Sequence, residues 1–246
     1  MTFSMRKIIA LYSIVLIAAS FVTFKGAEEY FLREMAKDAK TEIVLYKEVI
    51  RGWLGRFRPL PSIYAGFSEI QVGLETPTEE NIRNVNLLLE AWAAASGASD
   101  IYLLDDTGLT IAASNWNETV TFVGQNYAFR PYFQQAMQGR LGRFFALGVI
   151  SGKRGYYFSY PVRRANRILG VVVVKLNVVD IEQDLRGREN EIIIADDAGV
   201  VLMASHPSWR LSMLAPLNEK AIARIEADRQ FDIKAMDKIP VLGVKT

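Results

Sequence analysis

Residues 101–114 and 192–205 carry the same pattern at a spacing of 91. Ile101-Tyr102-Leu103-Leu104 runs into Asp105-Asp106-Thr107-Gly108, and Ile192-Ile193-Ile194-Ala195 runs into Asp196-Asp197-Ala198-Gly199; six of the 14 aligned residues are identical. An apolar run, a turn with an Asp to bond its own backbone and a Gly for positive φ, then a second apolar run together spell a β-hairpin. A hairpin repeated at that distance predicts two tandem copies of one α+β module. With 246 residues, half of them apolar and 11% aromatic, the chain can fill two cores.

Around the first hairpin the elements are well signposted. A helix is expected before it, with Thr76 as N-cap, Pro77 at the first position and Glu79 closing a capping box. Ile82, Val85, Leu88, Leu89 and Trp92 make its apolar face, and Gly97 ends it. After the hairpin, Arg130-Pro131 opens a short helix holding Tyr132, Phe133, Ala136 and Met137, which Gly139 stops. Strands are expected over 143–149, 155–162 and 168–178. The module is therefore a five-stranded antiparallel sheet with its short helix between the second and third strands. The second copy offers a helix over 217–228 and a strand from Phe231, and is expected to be an incomplete module in a truncated chain.

The N-terminus carries a membrane signal. Arg6 and Lys7 precede an uncharged run over residues 8–24, which Lys25 ends. Seventeen residues at helical rise span about 26 Å, the short end of a transmembrane helix. A cleaved signal peptide with its apolar region over 8–17 is the alternative, but Phe21, Val22 and Phe24 carry the run past any cut. Either way Arg6 and Lys7 stay in the cytoplasm and the rest crosses. Residues 27–57 continue as a helix, with Ile43, Tyr46, Ile50, Trp53 and Phe57 at heptad spacing, suited to docking on the chain's own domain or to a dimeric stalk. The expected segments are 1–25 (cytoplasmic tip and transmembrane helix), 26–75 (long helix and connector), 76–180 (membrane-distal module) and 181–246 (membrane-proximal module).

The charges are distributed unevenly. The net charge is +2 and the whole chain has 27 acids, yet residues 119–179 have none and nine bases: Arg130, Arg140, Arg143, Lys153, Arg154, Arg163, Arg164, Arg167 and Lys175. Such a stretch suits a negative partner, and translocation argues against nucleic acid. Arg130 opens a helix, where its planar fork and the helix amides can serve one carboxylate. Lys175 interrupts the apolar strand Val171-Val172-Val173-Val174 in mid-course and has no acid nearby in sequence, so an external carboxylate is its expected partner. Tyr127, Tyr157, Ser159 and Ser151 are neutral donors that can complete the site, with Tyr157 and Ser159 on one strand face and Tyr156, Phe158 and Tyr160 on the other. The other seven bases are expected mainly in solvent. The absence of Cys and the single His206 leave no thiolate or His-rich metal site, and no Ser/His/Asp set or phosphate loop supports an enzyme. The Asp pairs belong to hairpin turns and His206 to the turn before Pro207. No cofactor is expected.

Tyr127-Ala128-Phe129-Arg130-Pro131-Tyr132-Phe133, then the segment from Gly148 to Pro161, then the strand from Val171 to Lys175, together resemble the double Cache (PAS-like) extracytoplasmic sensor domain. More closely, they resemble the sensor of bacterial C4-dicarboxylate histidine kinases. That resemblance implies two tandem modules, the membrane-distal one binding succinate, fumarate or malate. It implies a homodimeric two-component sensor in the inner membrane with its sensor region in the periplasm, protein-histidine phosphotransfer in a kinase core beyond this chain, and a cognate dicarboxylate transporter as partner. The pattern departs at Ile150, where the family pattern has a threonine hydroxyl. The same module could serve a chemoreceptor or a diguanylate cyclase for another small acid or an amino acid; an amino acid would need a carboxylate for its ammonium.

Overall fold

A computed structural model describes residues 5–184 and 190–239; the ends of the first and last expected segments, 1–4 and 240–246, lie outside the described residues. The chain divides into two units, residues 1–52 and 53–246. The first is helical throughout its described part: α1 runs over Met5–Phe57, its last turns belonging to the second unit. In the uncharged part, Ile8, Leu11, Val15, Ile17, Phe21 and Phe24 are all exposed. Among the described residues this is the one helix long and apolar enough to cross a membrane, and a helix meets the demand of lipid because every backbone bond is internal. Further along α1, Lys25 pairs with Glu28 and Arg51 with Glu48 one turn apart, as an exposed helix surface favours.

The second unit is built on a five-stranded antiparallel sheet. Its strands are β1 (Asp100–Asp105), β2 (Thr110–Ala113), β3 (Gly142–Leu147), β4 (Arg154–Arg164) and β5 (Arg167–Asn177), in the order β2-β1-β5-β4-β3. On one face lie the end of α1, α2 (Leu60–Tyr64), α3 (Ser68–Glu75) and α4 (Glu79–Ser96). There Phe57, Ile70, Val85 and Leu89 meet Ile101, Leu103, Phe158, Val172 and Val174. On the other face α5 (Pro131–Met137) and the loop before it cover Tyr102, Leu104, Tyr157, Val171 and Val173. Alternation thus sends neighbouring residues of one strand into two cores. The central strand β5 is covered on both sides, which explains its unbroken valine run: Val171 to Val174 are all fully buried.

The α4 cap differs from the expectation. Thr78, not Thr76, is the N-cap and accepts from the Asn81 N–H at 3.2 Å. Thr76 is already the C-cap of the preceding helix, its N–H bonded to the Val72 carbonyl at 2.8 Å, so it does not also start the next one.

The repeated hairpins coincide residue for residue. β6 (Ile193–Ala195) and β7 (Val201–Ala204) pair with Ile193 opposite Ala204 and Ile194 opposite Met203; β1 and β2 pair with Tyr102 opposite Ala113 and Leu103 opposite Ala112. Both carry a bulge at the next position. Asp105 accepts from the N–H groups of Thr107 and Leu109, and Asp196 from those of Ala198 and Val200, all at 2.9–3.0 Å. Gly108 and Gly199 supply φ values of +85° and +83°. The Asp pairs are turn residues, as expected, and His206 bonds the Ser208 hydroxyl in its own turn at 2.8 Å.

After β7 the copies part. A short helix, α6 (Val179–Asp184), precedes the second hairpin, and the expected later helix is present as α7 (Glu219–Ala227), capped by Asn218. Among the described residues no strand begins at Phe231, against the expectation. Instead Gln230 and Phe231 dock on the edge of β3, where the Leu147 N–H donates to the Gln230 carbonyl at 3.0 Å and the Phe145 and Phe231 rings meet at 6.2 Å. A short 3-10 turn follows over Ile233–Ala235. One backbone bond to an edge seats the segment without extending the sheet.

Candidate functional site

Strand pairing lines up one row of side chains across four strands: Asp100 on β1 opposite Lys175 on β5, Lys175 opposite Tyr157 on β4, and Tyr157 opposite Phe144 on β3. The row lies on the α5 face. Lys175 is 2% exposed, yet its ammonium has a partner: Nζ stands 2.9 Å from the Asp100 carboxylate and 3.4 Å from the Ser151 hydroxyl. It also lies 5.0 Å from the centre of the Phe122 ring. The expectation that no acid competes for Lys175 is corrected here. Asp100 lies 75 residues away in sequence, and antiparallel pairing makes it the nearest neighbour.

The turn between β3 and β4 folds over this row. A side chain at Gly148 would collide with the Ser151 hydroxyl and crowd the Lys153 carbonyl, with the Tyr157 hydroxyl next to it, so glycine lets the turn approach. Tyr127 comes from the loop before α5, held by its N–H to the Gly108 carbonyl at 2.8 Å. It is 5% exposed, and its hydroxyl has no hydrogen-bond partner among the described residues. Such a group costs free energy unless something supplied from outside satisfies it. Burial pushes the Tyr127 phenol up to about 12, the Asp100 charge acting the same way and Arg130 against it. Burial likewise raises the phenols of Tyr157, Tyr132 and Tyr102. Tyr157 stacks on Tyr132 at 5.3 Å, and Tyr132 meets the Tyr102 hydroxyl at 2.8 Å.

Two expected ligand residues are engaged elsewhere. The Ser159 hydroxyl is fully buried and donates to the Tyr132 carbonyl at 2.7 Å, which anchors α5 to the sheet. Arg130 occupies the N-cap position of α5 but points its guanidinium at three backbone carbonyls: Asp228 and Arg229 through Nη1, and Leu147 through Nη2, each at 3.0 Å. Among the seven bases expected in solvent, Arg140, Arg143, Lys153, Arg163, Arg164 and Arg167 are exposed. Arg154 is not: only 9% of its side chain is exposed, and it pairs with the fully buried Glu182. The sequence reading missed Asp100, although the repeat held a sign of it: extended one residue upstream, both copies begin with an acid, Asp100 and Glu191.

Chemically, the row offers an ammonium, a carboxylate, and phenolic and serine hydroxyls beside an aromatic wall. Among the described residues no group of three or more His, Cys, Asp or Glu stands ready for a metal ion.

No family model matches the chain. Over 209 residues it is 36% identical to the C4-dicarboxylate transport sensor protein DctB of Pseudomonas aeruginosa, covering 85% of this chain and 34% of that protein. Over 225 residues it is 33% identical to the protein of the same name from Rhizobium meliloti, covering 91% and 36%. The chain spans about a third of the length of these curated relatives. The crystal structure of the V. cholerae histidine kinase DctB sensor domain superimposes with a TM-score of 0.80 at 32% identity, over 84% of this chain and 81% of that one. The ligand-binding domain of the Pseudomonas fluorescens chemoreceptor CtaA, solved with L-serine, shares the fold at a TM-score of 0.54 and 20% identity, over 74% and 78%. The architecture is that of the bacterial Cache-type sensor domains. Within that class, the chain belongs to the DctB sensor-domain family.

Proposed function

We propose that the chain is the periplasmic ligand-sensing region of a membrane-bound two-component sensor histidine kinase, and that residues 76–180 bind a C4-dicarboxylate: succinate, fumarate or malate. The observation that carries this reading is the buried Lys175 ammonium, with the unpartnered Tyr127 hydroxyl of the α5 face. A ligand carboxylate takes the place of Asp100 on Lys175, with Ser151 and the Tyr127 and Tyr157 hydroxyls completing the shell. Asp100 has somewhere to go: its side chain is 14% exposed and lines an open groove of about 280 Å³ with Ser99, Asn115 and Asn117. The anchor keeps Arg6 and Lys7 in the cytoplasm and the sensor outside the inner membrane. The 27–57 helix pairs two copies into a homodimer, a kinase core lies beyond this chain, and a cognate dicarboxylate transporter is the functional partner. The 181–246 segment is the membrane-proximal module of the same sensor.

Asp100 supports one second reading. Together with Lys175 it forms a neutral pair that a zwitterionic amino acid could match, carboxylate to Lys175 and ammonium to Asp100. Asp100→Asn separates the two readings in calorimetry on the detergent-solubilised chain. Losing the competing carboxylate should tighten succinate binding about tenfold, whereas an amino acid such as L-serine should lose affinity by a similar factor. If wild type takes up none of the three dicarboxylates, the dicarboxylate reading fails.

A further inference from the structure

Arg130 stands between the ligand row and the second hairpin's module. Its Nη2 holds the Leu147 carbonyl, and the next residue, Gly148, lies against the Ser151 and Tyr157 hydroxyls. Its Nη1 holds the carbonyls of Asp228 and Arg229, 98 and 99 residues away. Those carbonyls begin a short strap, residues 228–231, laid along the β3 edge. The strap's other polar ties are the Leu147 N–H to the Gln230 carbonyl and the Gln230 side-chain amide to the Phe145 carbonyl, both at 3.0 Å. Its apolar tie is Phe231 on Phe145. Arg229 is held at a φ of +46°, a left-handed conformation that a non-glycine residue adopts under constraint, with its guanidinium 4.6 Å from the Phe129 ring. Arg130 lies over the same ring at 5.2 Å.

Carbonyls are neutral acceptors. A carboxylate adds an opposite charge to the guanidinium and can take both arms of its fork. A dicarboxylate held at Lys175 has a second end, and Arg130, 2% exposed and 5.7 Å from the Phe144 ring of the row, is a buried cation whose hydrogen bonds among the described residues end on backbone carbonyls. The geometry points to Arg130 as a coupling residue: the ligand's second carboxylate draws its guanidinium off the Asp228 and Arg229 carbonyls, and the strap leaves the β3 edge as Arg229 relaxes. Ligand occupancy is thereby converted into loss of contact between the sheet module and the α7 segment. This rests on the dicarboxylate reading above. Coupling free energies are reciprocal, so a weakened strap must also tighten the ligand.

The amide of Leu147 reports on the strap, because its hydrogen bond ends on Gln230. Hydrogen exchange is followed on the full chain in detergent, with β5 amides as the folding control and calorimetry run in parallel. Succinate should speed exchange at Leu147 about tenfold or more in wild type while β5 stays protected. Arg130→Lys should show the faster rate without ligand and no further response. Gln230→Ala should tighten succinate about threefold or more. Heat of binding with no change at Leu147 overturns the coupling and leaves the ligand reading standing. No heat from succinate, fumarate or malate overturns both.

Discussion

Two cations of the acid-free stretch are buried against carboxylates, and the two burials differ in kind. Arg154 meets Glu182 with both arms of its fork, one contact at 2.6 Å, and gives a further bond to the Leu202 carbonyl at 2.9 Å. Glu182 also holds Arg210 at 3.1 Å and is itself fully buried. Lys175 has one carboxylate oxygen at 2.9 Å and a long contact to Ser151, and the Tyr127 hydroxyl of the same core has no hydrogen-bond partner among the described residues. The Arg154–Glu182 fork is saturated, and exchanging either member would leave a charge uncompensated. The lysine pair is undersaturated: an ammonium is a point charge that accepts a different oxygen without loss of geometry. Saturation, more than burial, separates the joint between the five-stranded sheet and the second hairpin from a pair open to exchange.

The largest expected effect tests the joint. Glu182→Ala should lower stability by about 3–5 kcal/mol, because two arginines lose their counter-charge; the urea midpoint of the solubilised chain measures it. A loss below about 1 kcal/mol would place the pair among ordinary surface bridges. Next, Lys175→Met should weaken succinate binding about 100-fold, or roughly 2.7 kcal/mol, with a smaller stability change than Glu182→Ala because Asp100 can turn to its groove. Retained binding together with a larger stability loss would reverse the roles of the two cations.

A smaller effect concerns pH. The phenols of Tyr102, Tyr127, Tyr132 and Tyr157 are raised above the ordinary value by burial. The folded chain therefore holds protons that the unfolded chain releases. Stability from this source is intact below pH about 10, the unfolded phenol's value, and falls as pH rises from there through about 12. Thermal melts between pH 8 and 12 should show that fall, and Tyr127→Phe should make it shallower. An unchanged slope would mean that Tyr127 ionises freely. Smallest of all, Asp105→Ala and Asp196→Ala should each cost about 1 kcal/mol by urea unfolding, without altering ligand affinity. Unequal costs would show that the hairpins, alike in geometry, differ in load.

Much of the fold could be read directly. The Asp-Asp-x-Gly turns, the Gly97 and Gly139 stops and the alternation in β4 and β5 all act within a few residues. The α4 cap was misplaced by two residues because Thr76 and Thr78 look alike locally and only the end of α3 chooses between them. The Phe231 strand failed for a related reason: an apolar start does not say whether an edge is free to be extended. In the candidate site, Lys175 stood out as a charge inside a valine run. Ser159 looked equally suitable and is instead bonded to the Tyr132 carbonyl, which the sequence could not reveal before α5 was placed.

Taken alone, the sequence determined the strands of the five-stranded sheet, the repeat, the apolar N-terminal helix and the stretch cleared of acids, since each depends on local period, turn chemistry or composition. Only the tertiary structure decided which oxygens the cations meet. Asp100 reaches Lys175 across 75 residues, Glu182 reaches Arg154 across 28, and the carbonyl of Asp228 reaches Arg130 across 98. Electrostatic partners are set by distance in space at the scale of a hydrogen bond, and strand pairing and the packing of the second hairpin create that proximity without leaving a trace in the neighbouring sequence.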